Sequence, residues 1–237
     1  MIANAITGLT GVGGLSYSQT VLADNPIGFW LMDQTSGTTL NDTSGNANNA
    51  TTYNSPTLNQ SGTGGISKSV LFNGTTQYAQ TGTVSIFNIA PSANWSVEAW
   101  AKTTSSSAYI SMMYVGGSGA SSSDTLGQLG FSSGKANGGS ITSTPGFLNI
   151  TSSASFNDGN WHHFVMTAAS GGALTLYVDG SNVASSSTAR RATGNNSFVV
   201  IGGQVSQYYF PGNMTAVAVY NTTLSSTRVT AHYNAGK

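Results

Sequence analysis

Charge is what this chain of 237 residues has least of: Lys, Arg, Asp and Glu together make up 6% of it, seven basic residues against seven acidic ones. An ordinary soluble domain carries about 25%. With zero net charge and no basic cluster larger than Arg190-Arg191, the sequence lacks the electrostatic footprint of a nucleic-acid partner. Two adjacent arginines read as part of a solvated loop. Cysteine is absent, which removes disulfides, thiolate metal sites and cysteine nucleophiles together. No apolar run approaches the ~18 residues of a membrane-spanning helix. The opening MIANAITGLTGVGGLSY has no positive charge and is broken by Gly8, Gly11, Gly13 and Gly14. It is therefore not expected to act as a secretory signal, which needs a basic start before an unbroken apolar stretch.

Low charge does not mean disorder here, because disordered chains combine high net charge with few aromatics. Aromatic residues reach 10% and hydrophobic residues 38%, enough to build a core. The missing charge is replaced by Ser, Thr, Asn and Gly. Helix surfaces favour Lys, Glu, Arg and Gln, whereas strand faces and turns accept the residues found here. Composition points to a β protein, and the length, at the upper end of what one sandwich occupies, makes one domain the default and leaves two possible.

Short apolar runs alternate with Gly/Asn/Ser clusters along most of the chain, the spacing of a sandwich or jelly roll. Residues 1–16 read as a flexible arm, followed by a short helical turn over 16–24 that Asn25-Pro26 stops. Strands are expected at 27–32, 69–72, 95–102, 109–115, 128–131, 147–150, 161–168, 174–178, 198–201 and 213–220. In 95–102 (WSVEAWAK), Trp95, Val97 and Ala99 fall on one face, and Ser96, Glu98 and Trp100 on the other. Asp179-Gly180 supplies a tight hairpin turn. One helix is expected at the end, over 224–233, stopped by Asn234-Ala235-Gly236. The Ser/Gly-rich stretches 103–108, 116–124 and 132–144 read as surface loops.

Several of these segments share a pattern. Ala23 to Trp30 (ADNPIGFW) with Asp42-Thr43-Ser44-Gly45-Asn46, Leu71-Phe72-Asn73-Gly74 with Tyr78, and Trp95-Ser96-Val97-Glu98-Ala99-Trp100 come in order. Trp161-His162-His163-Phe164, Leu176-Tyr177-Val178-Asp179-Gly180, Ile201-Gly202-Gly203 and Phe210-Pro211-Gly212-Asn213-Met214 follow. Together, from Tyr17 to Gly236, they resemble the laminin-G-like group of the concanavalin-A-like superfamily. The resemblance implies an all-β fold: a two-sheet antiparallel jelly-roll sandwich with a short C-terminal helix, covering 17–237 behind the arm.

Little in the chain suggests catalysis. A glycosidase of the superfamily is expected to place two or more carboxylates on alternate residues of one strand. Here the only glutamate is Glu98, and its alternate neighbours are Ser96 and Trp100. Glu98 reads as a carboxylate hydrogen-bonded within the sandwich. His162 and His163 are adjacent on a strand, so they point to opposite faces and cannot jointly hold a metal. The resemblance makes that strand structural, with one histidine partly buried. His232 reads as a surface or helix-packing residue. No G-x-S-x-G elbow accompanies the many serines, and N-x-S/T triplets at Asn73, Asn94 and Asn213 are expected by chance in this composition. The chain is not expected to be an enzyme.

Two binding chemistries remain. Calcium takes oxygen ligands, and the resemblance implies an ion near a sheet rim. Among Asp33, Asp42, Asp124, Asp158 and Asp179, the candidate is Asp42 with Asn46; the alternative is that Asp42 caps its own loop as an Asx turn. Carbohydrate recognition needs aromatic platforms beside amides, and Tyr208, Tyr209 and Gln207, near Gln204, form the most suggestive cluster. Those tyrosines read equally as loop packing that leads into the last strand.

Domains resembling this one stand in the tail and surface proteins of bacteriophages. The resemblance, with the expected lack of a signal, implies a virion structural protein on a capsid or tail surface. The arm 1–16 would dock to other virion proteins and the rim loops would touch host glycans; a homo-oligomer is left open. The alternative is an extracellular bacterial carbohydrate-binding module.

Overall fold

In the computed structural model, residues 15–117, 125–143, 146–190, 197–204 and 207–237 are described. The arm up to residue 14, Asp124 and Arg191 therefore lie outside the described residues.

Two antiparallel sheets pack face to face. The first runs in the order β14 (Ser181–Ser186), β13 (Leu174–Val178), β12 (His162–Ala168), β7 (Trp95–Lys102), β16 (Pro211–Tyr220), β5 (Lys68–Asn73) and β4 (Thr57–Ser61), with β1 (Gly28–Trp30) also pairing with β16. The second runs β11 (Phe147–Ser155), β10 (Lys135–Ile141), β9 (Thr125–Ser132), β8 (Ile110–Gly116), β15 (Phe198–Ile201), β6 (Tyr78–Thr81), β3 (Ala50–Tyr53) and β2 (Thr39–Leu40). Two helices, α1 (Tyr17–Leu22) and α2 (Ser226–Gly236), complete the named elements used below. No helix of the described residues is long and apolar enough to cross a membrane.

Alternation along the strands divides most of the apolar residues between two cores, with Tyr114, Phe198 and Val200 forming a smaller third cluster. Trp95, Val97 and Ala99 of β7 face inward, where Phe131, Phe164, Phe72 and Phe210 from both sheets join them. Trp100 faces the other way. It joins Phe29, Val165, Ala218 and Tyr220 beneath Tyr17 and Val21 of α1 and Val229 of α2. Both faces of the central strand are thus covered, and β7 is buried along almost its whole length. Each helix starts at a serine whose side chain accepts a backbone amide: Ser16 from Gln19, within a reciprocal capping box, and Ser225 from Arg228.

The hairpin expected at Asp179-Gly180 is present, with φ of 51° and 80° as a primed turn requires. Other expectations need correction. Residues 132–144 are not a surface loop, because β10 occupies most of them. Its glycines are there for space: a Cβ on Gly138 would lie 2.8 Å from Met166 Sδ, and one on Gly139 2.2 Å from Phe147 Cε1. The terminal helix starts behind Ser225 rather than Thr223 and continues to Gly236. Ser16, the last residue of the expected arm, is the N-cap of α1.

Arg190 is also not a solvated loop residue. It is 6% exposed and donates to three carbonyls: Nε to Pro91 at 2.7 Å, Nη1 to Gly172 at 3.0 Å and Nη2 to Ala169 at 2.6 Å. One guanidinium thereby ties three chain segments at the end of the first sheet. Arg190→Ala leaves those carbonyls without their donor, and hydrogen bonds to charged groups contribute roughly 1.5–3 kcal/mol. The expected loss is about 2–3 kcal/mol, read from the urea midpoint at unchanged m. A loss below about 0.5 kcal/mol, the range of neutral surface changes, would show that the clamp is idle.

Candidate functional site

Strands β8 to β11 form a meander, so side chains at alternate positions of four successive strands share its outer face. Tyr114 of β8, Gln128 of β9, Asn137 of β10, and Asn149 and Thr151 of β11 form the floor of a groove of about 550 Å³. One wall comes from Tyr109, just before β8, and from Gln204, Gln207 and Tyr208 in the segment between β15 and β16.

The groove is held in shape by its own contacts. Gln204 Nε2 donates to Gln128 Oε1, which links the wall to the floor. Asn137 Nδ2 donates to Thr151 Oγ1 at 2.8 Å, while Asn137 Oδ1 is buried without a hydrogen-bond partner. Tyr208 stands edge-on to Tyr109, with centroids 4.8 Å apart and planes at 88°. The Tyr109 hydroxyl is buried beside Gln204 without a hydrogen bond of good geometry, and burial pushes it well above the ordinary phenol value. Tyr208 itself remains 45% exposed and sits at φ 53°. Rings that offer apolar faces, with carboxamides and hydroxyls that fix orientation, are the ingredients of a site for polyhydroxylated small molecules.

Of the aromatic and amide cluster expected from sequence, Gln204, Gln207 and Tyr208 line this groove. Tyr209 does not: it is half-buried against Tyr78, 6.2 Å between centroids, and Tyr78 stacks on Tyr53 at 4.6 Å. Gln128, Asn137, Asn149 and Thr151 were not among the expected site residues. Asn and Gln at outward strand positions were the available signal, since β-strands are otherwise poor in Asn.

A second cluster lies on the outer face of the first sheet, under the helices. Glu98 is fully buried there. It accepts from Tyr220 Oη at 2.7 Å, His232 Nδ1 at 2.9 Å and His163 Nε2 at 3.2 Å, with Tyr17 Oη at 3.5 Å. The other ring nitrogen of His232 donates to Asp24 Oδ2 at 2.7 Å, and Arg228 Nε donates to the same carboxylate at 2.8 Å. With a carboxylate oxygen at each nitrogen, the site favours the protonated form of His232, which donates from both. Burial disfavours both charges, but the pair offsets it: the two imidazoles hold Glu98 well below the usual carboxylate range, and Glu98 and Asp24 raise His232. His232 is therefore a buried helix-packing residue and not a surface one. The cluster fastens α1 and α2 to the sheet. His163 belongs to it, while His162 points to the opposite side, where Asp179 and Asp158 receive its ring nitrogens at 2.7 and 3.1 Å.

Asp42 accepts three backbone amides, from Phe29, Ser44 and Asn48, each at 2.9 Å. Asn46 Nδ2 donates to the Ile27 carbonyl at 3.2 Å. This is the geometry of an Asx turn extended into a clamp between β1 and the loop that follows β2. No group of three or more His, Asp or Glu suited to a metal ion occurs among the described residues.

The chain belongs to the concanavalin A-like lectin/glucanases superfamily, whose Laminin_G_3 sequence model matches residues 73–230. No curated protein matches it in sequence. Among solved structures, the binding domain of Paraclostridial Mosquitocidal Protein 1 superposes with a TM-score of 0.69 at 16% identity, covering 90% of this chain and 52% of that one. Domain 4 of AbnA, a GH43 extracellular arabinanase from Geobacillus stearothermophilus, in complex with arabinotriose, gives 0.68 at 16% identity, covering 88% and 98%. Trypanosoma rangeli sialidase in complex with the inhibitor DANA gives 0.66 at 17% identity, covering 88% and 32%. The chain thus spans about half of the toxin domain and a third of the sialidase. At these identities the likeness is one of fold.

Proposed function

We propose that this chain is a non-catalytic carbohydrate-recognition module that holds an oligosaccharide in the groove on β8–β11. The observation that carries the reading is the groove's composition: exposed Tyr208 set edge-on against Tyr109, above a floor of carboxamides and hydroxyls. The arabinotriose complex of the arabinanase domain, a similar fold across nearly its whole length, supports it by analogy. Against catalysis stands the position of Glu98. It is sealed beneath two helices, with both oxygens engaged, whereas glycoside hydrolysis needs a carboxyl pair flanking the sugar. The setting we propose is the surface of a bacteriophage particle, with residues 1–16 as the attachment to other virion proteins; a free extracellular module is the alternative. Deleting 1–16 separates the two, since particle association is lost in the first case and glycan affinity is kept in both.

The function itself is tested by a glycan array followed by calorimetric titration of the best ligand. The expected dissociation constant lies between about 10 µM and 1 mM, the affinity of roughly 4–7 kcal/mol that a shallow polar groove supports. Absence of binding to every glycan at about 1 mM, where only some 4 kcal/mol is needed, would overturn the proposal.

A further inference from the structure

We infer that the ligand of the groove is an uncharged oligosaccharide bound without a metal ion, and that glycans carrying a carboxylate or sulfate are discriminated against. This rests on the reading of the groove as a glycan site and narrows it to a substrate class.

None of the thirteen residues that line the groove is charged, and none is histidine. The chain's charged residues are few, and all but Asp124 and Arg191 lie among the described residues. Most have places elsewhere. Glu98, Asp24 and Arg228 are joined under the helices. Asp42 clamps its loop, Asp158 and Asp179 hold His162, Arg190 holds carbonyls, and Lys102 lies over Trp161.

The consequence follows from desolvation. A sugar carboxylate entering the groove gives up water and meets no guanidinium, ammonium or imidazolium among the described lining residues, Lys135 lying beyond Ser132 on the same face, and an unpaired charge removed from water is strongly disfavoured. Carboxamides are the opposite case. Gln128, Asn137, Asn149, Gln204 and Gln207 each carry donor and acceptor on one planar group, the complement of a sugar hydroxyl, which is both as well. A calcium-bridged sugar is disfavoured by the same lining, because calcium sites draw on carboxylates for charge and there is none among the described lining residues.

The test uses matched pairs: N-acetyllactosamine and its sialylated form, and a neutral xylo-oligosaccharide and its glucuronate-substituted form, titrated into the full chain with calcium and again with EDTA. Neutral members are expected to bind at least about tenfold more tightly than their charged partners, a difference of ~1.4 kcal/mol, with EDTA changing the affinity less than about twofold. Binding of the charged member as tightly as the neutral one, or its loss in EDTA, overturns the inference. Gln128→Ala is titrated in parallel to keep the two levels apart. If it weakens binding of charged glycans, the groove is the site and only the substrate class is wrong. If it leaves all binding unchanged, or if no glycan of either kind binds, the reading of the groove falls and the inference with it.

Discussion

Glu98→Ala is expected to cost about 3–5 kcal/mol of folding free energy, the penalty for breaking a buried ion pair by removing one partner. Against a total stability of roughly 5–15 kcal/mol, that brings the chain close to unfolding at room temperature. The loss comes from what stays behind: His232 keeps Asp24 but loses its partner at 2.9 Å, and Tyr220 and His163 lose the acceptor of their buried protons. Glu98→Gln keeps an oxygen for Tyr220 and removes the charge, so its cost should be smaller. Urea unfolding followed by tryptophan fluorescence reads both, since Trp100 stacks on His163 in the same cluster. A Glu98→Ala loss below about 1 kcal/mol, typical of an exposed pair, would mean that the helices are held by apolar contact alone.

The same cluster sets the pH dependence. Glu98 is lowered in the folded state, so its contribution is complete above the unfolded carboxylate value of about 4.3 and is lost as pH falls through the lower folded value. His232 is raised, so its contribution is complete below the unfolded imidazole value of about 6.5 and is lost as pH rises through the higher folded value. Stability should therefore be greatest between roughly pH 4.5 and 6.5 and decline toward alkaline pH. In Glu98→Gln the alkaline decline should be shallower, because less holds the imidazolium.

The second large effect is on binding. Tyr208→Ala combined with Gln128→Ala is expected to weaken glycan affinity by about 100-fold or more, since it removes an exposed ring and a floor carboxamide together and ~2.7 kcal/mol suffices for that factor. Tyr208 is 45% exposed, so Tyr208→Ala alone should change the melting temperature little. Gln128 is buried and bonded to Gln204, and its removal should cost on the order of 1 kcal/mol. A double variant that folds and binds like the parent would place the ligand elsewhere on the sandwich.

What could be read from sequence was local. In β7 alternation separates Trp95 and Val97 from Glu98 and Trp100, and the structure sends the two sets to different cores. The Asp179-Gly180 turn is likewise fixed by two adjacent residues. β10 was hidden because its glycines carry no side chain to alternate, and their reason, Met166 and Phe147, lies on other strands. The buried cluster was hidden by distance: Glu98 meets His163 and His232 across 65 and 134 residues of chain. The lone glutamate reads from sequence only as a carboxylate hydrogen-bonded within the sandwich, without its partners. At the groove, Gln207 and Tyr208 were legible as an aromatic and amide loop, but their floor needed the strand order β8 to β11. Tyr209 lies apart from the groove because the two neighbouring rings have different partners, Tyr208 meeting Tyr109 and Tyr209 meeting Tyr78.

Backbone amide chemical shifts recorded during titration with a bound neutral oligosaccharide test the central claim most directly. The account predicts that the largest changes fall on Gln128, Asn137, Asn149, Thr151 and the segment around Gln207 and Tyr208, with the Glu98 cluster and the loop of Asp42 unmoved. Saturable changes centred on the Asp42 loop or on the outer face of the first sheet, with the groove silent, would contradict it.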